Sequence, residues 1–172
     1  MKSNKEIAEF TLYYNLYKKR IYNFIYKMVN DKALTEDLYQ NTFMKLYEHL
    51  NNIQNKESIL YWIFSTARNQ VYVFYRGKSY KVDQFNKSDV DDLEIDSGDN
   101  LEQKIESKEL RKIVLKEVEK LPFEQKEVYL LKEYSELKYK EIADMLNIDE
   151  GLVKSRLFKA RQKLIKQIAK YI

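Results

Sequence analysis

The sequence predicts an all-α fold, in which two small helical domains are joined by a flexible acidic linker. Three observations carry that prediction. Only three glycines and one proline punctuate the 172 residues, too few turns for a rich β fold. Apolar residues recur at helical spacing through long stretches of Lys, Glu, Leu, Ile and Tyr. Charge is also segregated: Ser88 to Gln103 holds seven acidic residues and no basic one, whereas Gly151 to Ile172 holds seven basic residues and no acidic one. The first run interrupts the helical periodicity, and the second suits a polyanionic partner, although a solvated helix face explains the same cations. The hydrophobic fraction of 44% is enough for packed cores.

The first helix spans about Lys5 to Val29, with Phe10, Tyr14, Tyr17, Ile21, Phe24, Ile25 and Met28 at helical spacing. The second spans about Ala33 to Leu50, with Glu36 and Asp37 expected in its first turn, where carboxylates suit the helix dipole. The run Asn51, Asn52, Ile53, Gln54, Asn55, Lys56 reads as a loop. The third helix, about Ser58 to Arg76, is apolar on more than one face, as befits a helix central to a bundle. Together these form a first domain over residues 1–78. Residues 79–100 are polar and acidic and read as the linker. The second domain, 101–172, opens with a helix from Leu101 to Leu121, closed before Pro122. Helices over Phe123 to Tyr134, Leu137 to Leu146 and Glu150 to Ile172 follow.

The last two helices have the spacing of a helix-turn-helix. Ile142, Ala143 and Leu146 form the apolar face of the first, a tight turn falls near Asn147, and Ile148 plugs the corner. At 100° per residue, Val153, Leu157, Ala160, Leu164 and Ile168 share the inner face of the second. Ser155, Phe158, Lys159 and Gln162 fall opposite, flanked by Lys154, Arg156 and Arg161. Folding gives no reason for a phenylalanine on the outer face. A major groove does: Phe158 suits thymine methyls, Lys159 and Gln162 base edges, and the flanking cations phosphates. A helical hairpin with a stray surface Phe is the bland alternative.

The second helix divides similarly. Leu38, Tyr39, Thr42, Phe43, Leu46 and Leu50 form the inner arc, and Asp37, Gln40, Asn41, Met44 and Glu48 the outer one. An apolar Met44 ringed by polar groups fits a protein-binding face, though isolated surface methionines are common.

Several function classes are excluded or disfavoured. With no cysteine there is no disulfide scaffold, thiolate zinc site or cysteine nucleophile, which fits a reducing cytoplasm. No apolar run approaches the roughly 20 residues that span a bilayer, and MKSNKEIAEF does not read as a signal peptide. No phosphate-binding glycine loop is present. The sole histidine, His49, sits near a helix end without a partner constellation and reads as a surface or capping residue. The expectation is a non-enzyme with no cofactor and no metal.

With those residues in view, the chain resembles the sigma-70 family of RNA polymerase sigma factors. Leu34-Thr-Glu-Asp-Leu-Tyr-Gln40-Asn-Thr-Phe43 is similar to region 2.2, and Tyr61-Trp-Ile-Phe-Ser-Thr-Ala-Arg68-Asn69, ending near Arg76, to regions 2.3 to 2.4. Leu121-Pro122 through Leu164, with Glu141-Ile-Ala and Gly151-Leu-Val-Lys-Ser-Arg-Leu-Phe-Lys-Ala-Arg161, is similar to region 4. No room is left for regions 1.1 or 3, which indicates the extracytoplasmic-function (ECF) group.

The resemblance implies a protein that binds core RNA polymerase and directs promoter-specific initiation. It implies docking of the second helix on the clamp helices of the largest subunit; by side-chain direction the contact falls to Asp37, Gln40, Asn41 and Met44. It implies capture of a flipped −10 base by the loop holding Asn51, Asn52, Gln54, Asn55 and Lys56, where amides offer donors and acceptors together. Arg68, Asn69 and Arg76 would follow the −10 DNA. Trp62 reads as a core residue, with single-strand stacking as the functional alternative. Lys154, Ser155, Arg156, Phe158, Lys159 and Gln162 would read −35 DNA, and region 4 would also hold the flap of the second-largest subunit. An anti-sigma factor or other regulator is a candidate partner. The linker would lie in the positively charged RNA exit path, or serve as a plain tether.

Three positions depart from the family. Leu152 stands where Thr is usual and loses a hydroxyl contact to phosphate. Lys159 replaces Arg and loses bidentate guanine geometry. Ser135-Glu136 fills a turn where Gly is frequent. The competing reading is a transcription regulator that binds DNA alone through its helix-turn-helix.

Overall fold

The computed structural model describes residues 1–77 and 101–172, with side chains from residue 107 onward in the second stretch; the expected linker over 79–100 lies outside the described residues. Seven α-helices follow one another among the described residues: α1 (Asn4–Val29), α2 (Lys32–His49), α3 (Ile59–Gly77), α4 (Leu101–Glu119), α5 (Phe123–Ser135), α6 (Tyr139–Leu146) and α7 (Glu150–Ile168). None is long and apolar enough to cross a membrane.

Local chemistry sets the helix ends. Ser3 and Glu6 close a capping box at the start of α1, and Asn30 ends it in the left-handed region at φ 50°. Asp31 caps α2 by accepting from the Leu34 N–H at 3.0 Å. This corrects one expectation. With the cap at Asp31, Glu36 and Asp37 lie in the second turn, so the carboxylate at the helix start is Asp31. The stretch from Asn51 is not an open loop either. It folds into two 3-10 turns, Leu50–Asn52 and Lys56–Ser58. α6 begins two residues later than its periodicity suggests. Leu137 is buried and its N–H turns back to Ser135 Oγ, 3.2 Å away, and the Lys138 N–H is then taken by Glu141 at 3.1 Å. Asp149 caps α7, accepting from Gly151 and Leu152 at 2.9 and 3.3 Å.

The first unit packs α1, α2 and α3 around Ile21, Phe24, Ile25, Met28, Leu46, Ile59, Ile63, Phe64 and Ala67, all essentially closed to water. Phe24 and Phe64 meet edge to face, 5.7 Å between centroids. A second cluster of Phe10, Tyr14, Tyr39, Phe43 and Tyr47 fills the other end of the α1–α2 seam. In the second unit, Val128, Leu130, Leu131, Ile142, Val153, Leu157 and Ala160 form the core.

The two units also pack on each other, with α1 and α3 against α4 and α5. Arg20 donates to the last two carbonyls of α5, Tyr134 at 2.7 Å and Ser135 at 2.8 Å. Those carbonyls have no partner within their own helix, and a cation at a helix C-terminus also suits its dipole. Asn30 reaches Glu119 at 2.6 Å, Lys27 bonds the Tyr134 hydroxyl, and Arg68 pairs with Glu127.

Candidate nucleic-acid interface

The outer face of α7 is built by its periodicity. Val153, Leu157, Ala160 and Leu164 are buried, which turns Lys154, Ser155, Phe158, Lys159, Arg161 and Gln162 to solvent. Phe158 is 63% exposed, so the core does not account for it. The turn before α7 is made by Asn147 at φ 54°, whose N–H reaches Ala143 and Asp144, and Ile148 is half-buried at the corner. Arg156 needs correction. It lies one step from the buried stripe, so its side chain is only 20% exposed and turns to Glu124 of α5 at 3.5 Å. It braces the helix pair and is not aligned with the cations of the outer face.

A second candidate surface is a cleft lined by His49, Asn52, Ile53, Gln54, Ser58 and Trp62, about 550 Å³ in volume. The end of α2 supplies His49 and the start of α3 supplies Trp62; their rings lie 6.2 Å apart. Of the five polar residues expected to capture a base, two line this cleft, Asn52 and Gln54. The other three are held elsewhere. Asn51 bonds the Glu6 carboxylate. Asn55 caps the second 3-10 turn through the Glu57 N–H at 3.0 Å. Lys56 donates to the Leu50 carbonyl at 2.7 Å and pairs with Glu9 at 3.1 Å. Trp62 is half-buried, with a face in the cleft, rather than a pure core residue. His49, read as a surface or capping residue, is exposed and is the cleft residue that sequence reasoning missed; the approach of its ring to that of Trp62 is not visible in a lone histidine.

On α3, residues seven apart share a face. Tyr61, Arg68 and Tyr75 form one such stripe, and the second unit meets it at Arg68 and Tyr75. Arg68 stacks over Tyr72 at 4.5 Å and pairs with Glu127, whose side chain is 5% exposed. Burial pushes the Glu127 carboxyl above its usual range, while the Arg68 bond and charge pull it back. The Tyr61 hydroxyl is raised by burial and then by the charges of Asp144 and Glu141. Tyr75 meets Phe123 at 5.1 Å and bonds the Met28 carbonyl. Arg68, expected on DNA, is therefore occupied in this form of the chain, whereas Asn69 and Arg76 on the neighbouring stripe are exposed.

On α2, Asp37, Gln40, Asn41, Met44 and Glu48 are exposed, Met44 by 59%. A groove of about 430 Å³ runs beside them, lined by Phe10, Tyr14, Tyr39, Gln40, Phe43, Met44, Tyr47 and Glu48. Its floor is stiff: Tyr39 and Tyr14 are joined through their hydroxyls at 2.9 Å, and burial followed by that bond raises the Tyr39 hydroxyl strongly.

Comparison with known proteins matches these surfaces to two family models in order. Residues 13–80 match sigma-70 region 2, and residues 111–164 match sigma-70 region 4. The ECF RNA polymerase sigma factor SigM of Bacillus subtilis is 32% identical over 155 residues, covering 88% of this chain and 90% of that protein. The ECF RNA polymerase sigma-E factor of Escherichia coli is 31% identical over 138 residues, covering 73% of this chain and 69% of its own. In fold, the chain is similar to the sigma factor RpoE of Bartonella quintana, solved with the anti-sigma factor NepR, at a TM-score of 0.71 and 21% identity over 94% of this chain and 97% of that one. CnrH, solved with the cytosolic domain of CnrY, gives a TM-score of 0.64 at 17% identity, over 94% of this chain and 88% of that one. The region 2 match leaves the stand-alone DNA-binding regulator unfavoured, because such a protein has no need of that unit. The chain belongs to the ECF RNA polymerase sigma factors, the subunits that direct the polymerase to promoters.

Proposed function

We propose that residues 1–78 bind core polymerase and melted −10 DNA, that residues 101–172 read the −35 element, and that 79–100 tether the two. The clamp helices of the largest polymerase subunit dock on Asp37, Gln40, Asn41 and Met44. An exposed apolar anchor ringed by polar groups is the composition such contacts favour, and the groove beside Met44 offers room for a partner side chain. The flap of the second-largest subunit takes the region 4 unit.

In the cleft, a base unstacked from the non-template strand packs on Trp62 and meets the amides of Asn52 and Gln54, with His49 closing one side. Extrusion costs a few kcal/mol, and stacking on an aromatic contributes about 1–3 kcal/mol per base toward offsetting it. Asn69 and Arg76 hold the strand beyond it. Lys154, Ser155, Phe158, Lys159 and Gln162 enter the −35 major groove. The reactions of transcription belong to the polymerase, so this chain works as a cytoplasmic non-enzyme. An anti-sigma factor is bound in the solved complex of RpoE, and we extend that kind of regulator to this chain.

The observation that carries the reading is Phe158, outward on the second helix of a helix-turn-helix and flanked by cations. Run-off transcription with core enzyme on a randomised promoter library tests it. Enrichment of a −35 and a −10 sequence at fixed spacing is expected. Failure to bind core polymerase in a pull-down would overturn it.

A further inference from the structure

The end of α1 and the middle of α4 line a cavity of about 330 Å³, apart from the surfaces assigned to DNA and polymerase. Much of its wall is apolar: Tyr26 of α1, Ile113, Leu115 and Val118 of α4, and Tyr171 of the 3-10 turn Ala169–Tyr171. The Tyr171 hydroxyl donates to Glu117 at 3.2 Å, which fixes that end of the wall. The charged lining is mainly cationic. Lys27, Lys112 and Lys116 supply ammonium groups, and the acid among them, Glu119, already accepts from the Asn30 amide at 2.6 Å. Lys27 is drawn inward, where it bonds the neutral Tyr134 hydroxyl and lies 4.6 Å from the centre of that ring. Burial lowers its pKa to about 8; the like charge of Arg111 on α4 acts in the same direction, and Glu133 on α5 acts against it.

We propose that this cavity binds a small carboxylate with an aromatic or branched apolar body, its anionic end on the Lys27 ammonium and its body against Tyr26, Ile113 and Val118. Three features select that class. Small-molecule sites run from about 300 to 1,000 Å³, so the volume suits one ring or a short acyl chain. A simple anion would leave the apolar walls wet, and a neutral apolar molecule would strip water from an ammonium without replacing it. An amphipathic anion does neither. It also brings a negative charge to Lys27, where Arg111 now acts as a like charge from across the seam. Around the Lys27 ammonium stand Arg111, Lys112, Lys116 and Glu119 of α4, Glu133 and Tyr134 of α5, and Tyr26 and Tyr171. Loss of the Lys27 proton above pH 8 removes the charge that holds the ligand, so affinity falls there.

Calorimetric titration of the full chain with cinnamate tests this, with cinnamamide as the neutral molecule of the same shape. Cinnamate should bind saturably, and cinnamamide at least about tenfold more weakly, the loss of a hydrogen bond between charged groups. Cinnamate affinity should be level below pH 8 and fall by up to about tenfold per pH unit above it. Lys27→Met, which keeps the length of the side chain, should bring cinnamate down to the level of cinnamamide and abolish the pH dependence, while cinnamamide binding persists. If that variant fails to fold, Lys116→Glu at an exposed wall position takes its place; the reversed charge should weaken cinnamate several-fold and spare cinnamamide. No saturable binding at millimolar cinnamate overturns the site. Equal affinity for cinnamate and cinnamamide, an affinity for cinnamate that does not change through pH 8, or one that survives Lys27→Met overturns the role of the cation and with it the proposal.

Discussion

Arg20 of α1 donates from its Nε to the main-chain carbonyl of Tyr134, 2.7 Å away, at the point where α5 ends. The guanidinium plane also lies against Tyr17 and Phe64, 5.7 Å from each ring. One side chain therefore joins the core of the first unit to a helix terminus of the second. Arg20→Ala leaves the carbonyls of Tyr134 and Ser135 to water and removes the stacked surface. The expected loss is about 2 kcal/mol, the value of charged hydrogen bonds that are partly buried. For a chain of this size that corresponds to a fall in Tm of roughly 4–8 °C. Arg20→Lys should fall between the two, because an ammonium keeps the charge without the fork that reaches both carbonyls. Calorimetry on the three proteins checks the order.

Glu136 offers the opposite sign. It ends α5 at φ 57°, ψ 16°, the left-handed region in which a side chain clashes with its own backbone. This explains why a turn of this kind so often takes glycine. Glu136→Gly should stabilise the protein by about 1 kcal/mol, the strain of the left-handed form less the extra freedom of glycine in the unfolded chain. Urea unfolding should show a higher midpoint with unchanged slope. Asn147, at φ 54°, is of the type that tolerates this region, and glycine there should change little, whereas Asn30, at φ 50°, would also lose its bond to Glu119.

Lys27 makes the stability of the fold pH-dependent. Its ammonium meets the Tyr134 hydroxyl and stands 4.6 Å from the centre of that ring. Burial lowers its pKa from 10.5 to about 8, the charge of Arg111 adds to this, and Glu133 opposes it. Between those two values the unfolded chain binds more protons than the folded one, so stability rises with pH across that window. Below pH 8 the penalty of the buried charge is complete and constant. Lys27→Met removes the titrating group. The wild type should therefore gain on the variant as pH rises above 8, measured as the difference of their urea midpoints.

The helices were legible in the sequence because each buries one face, and a period of 3.6 records which face it is. Val153, Leu157, Ala160 and Leu164 mark the inside of α7 and thereby turn Phe158 outward without any knowledge of the fold. Contacts between units leave no such record. Glu127 lies 59 positions from Arg68, and nothing in the spacing of either signals the other. Arg156 is an intermediate case: it borders the buried stripe, and only the position of Glu124 decides which way it turns. Asn51, Asn55 and Lys56 belong by composition with Asn52 and Gln54, but 3-10 turns divide the five between framework and cleft. Residues 78–100 stay outside that comparison.

His49 yields a prediction that its isolation in the sequence obscured. It closes the cleft across from Trp62. His49→Ala should weaken binding of holoenzyme to a −10 oligonucleotide by several-fold, in line with loss of part of a stacking contact of about 1–3 kcal/mol. Trp62→Ala should cost more there but also disturb packing, since that ring is half-buried. Core binding should be unaffected in His49→Ala. Equal affinity of His49→Ala and wild type for the oligonucleotide would remove His49 from the site.

The two exposed apolar residues that first distinguished the surfaces, Met44 and Phe158, predict separable defects. Met44 is 59% exposed on α2 and Phe158 63% exposed on α7, and neither contributes to a buried core. Replacing either should therefore leave folding intact. Phe158→Ala removes the group suited to thymine methyls, at about 1–3 kcal/mol of base discrimination, so −35 selectivity should drop by roughly tenfold while core binding persists. Met44→Glu puts a charge into a contact whose centre must be desolvated, and affinity for core polymerase should fall by a similar factor. Assembled holoenzyme carrying Met44→Glu, driven by excess core enzyme, should regain wild-type promoter preference, because the reading helix is untouched. No concentration of core enzyme should restore −35 selectivity to Phe158→Ala. Should both variants fail at the same step, the assignment of one face to polymerase and the other to DNA is wrong.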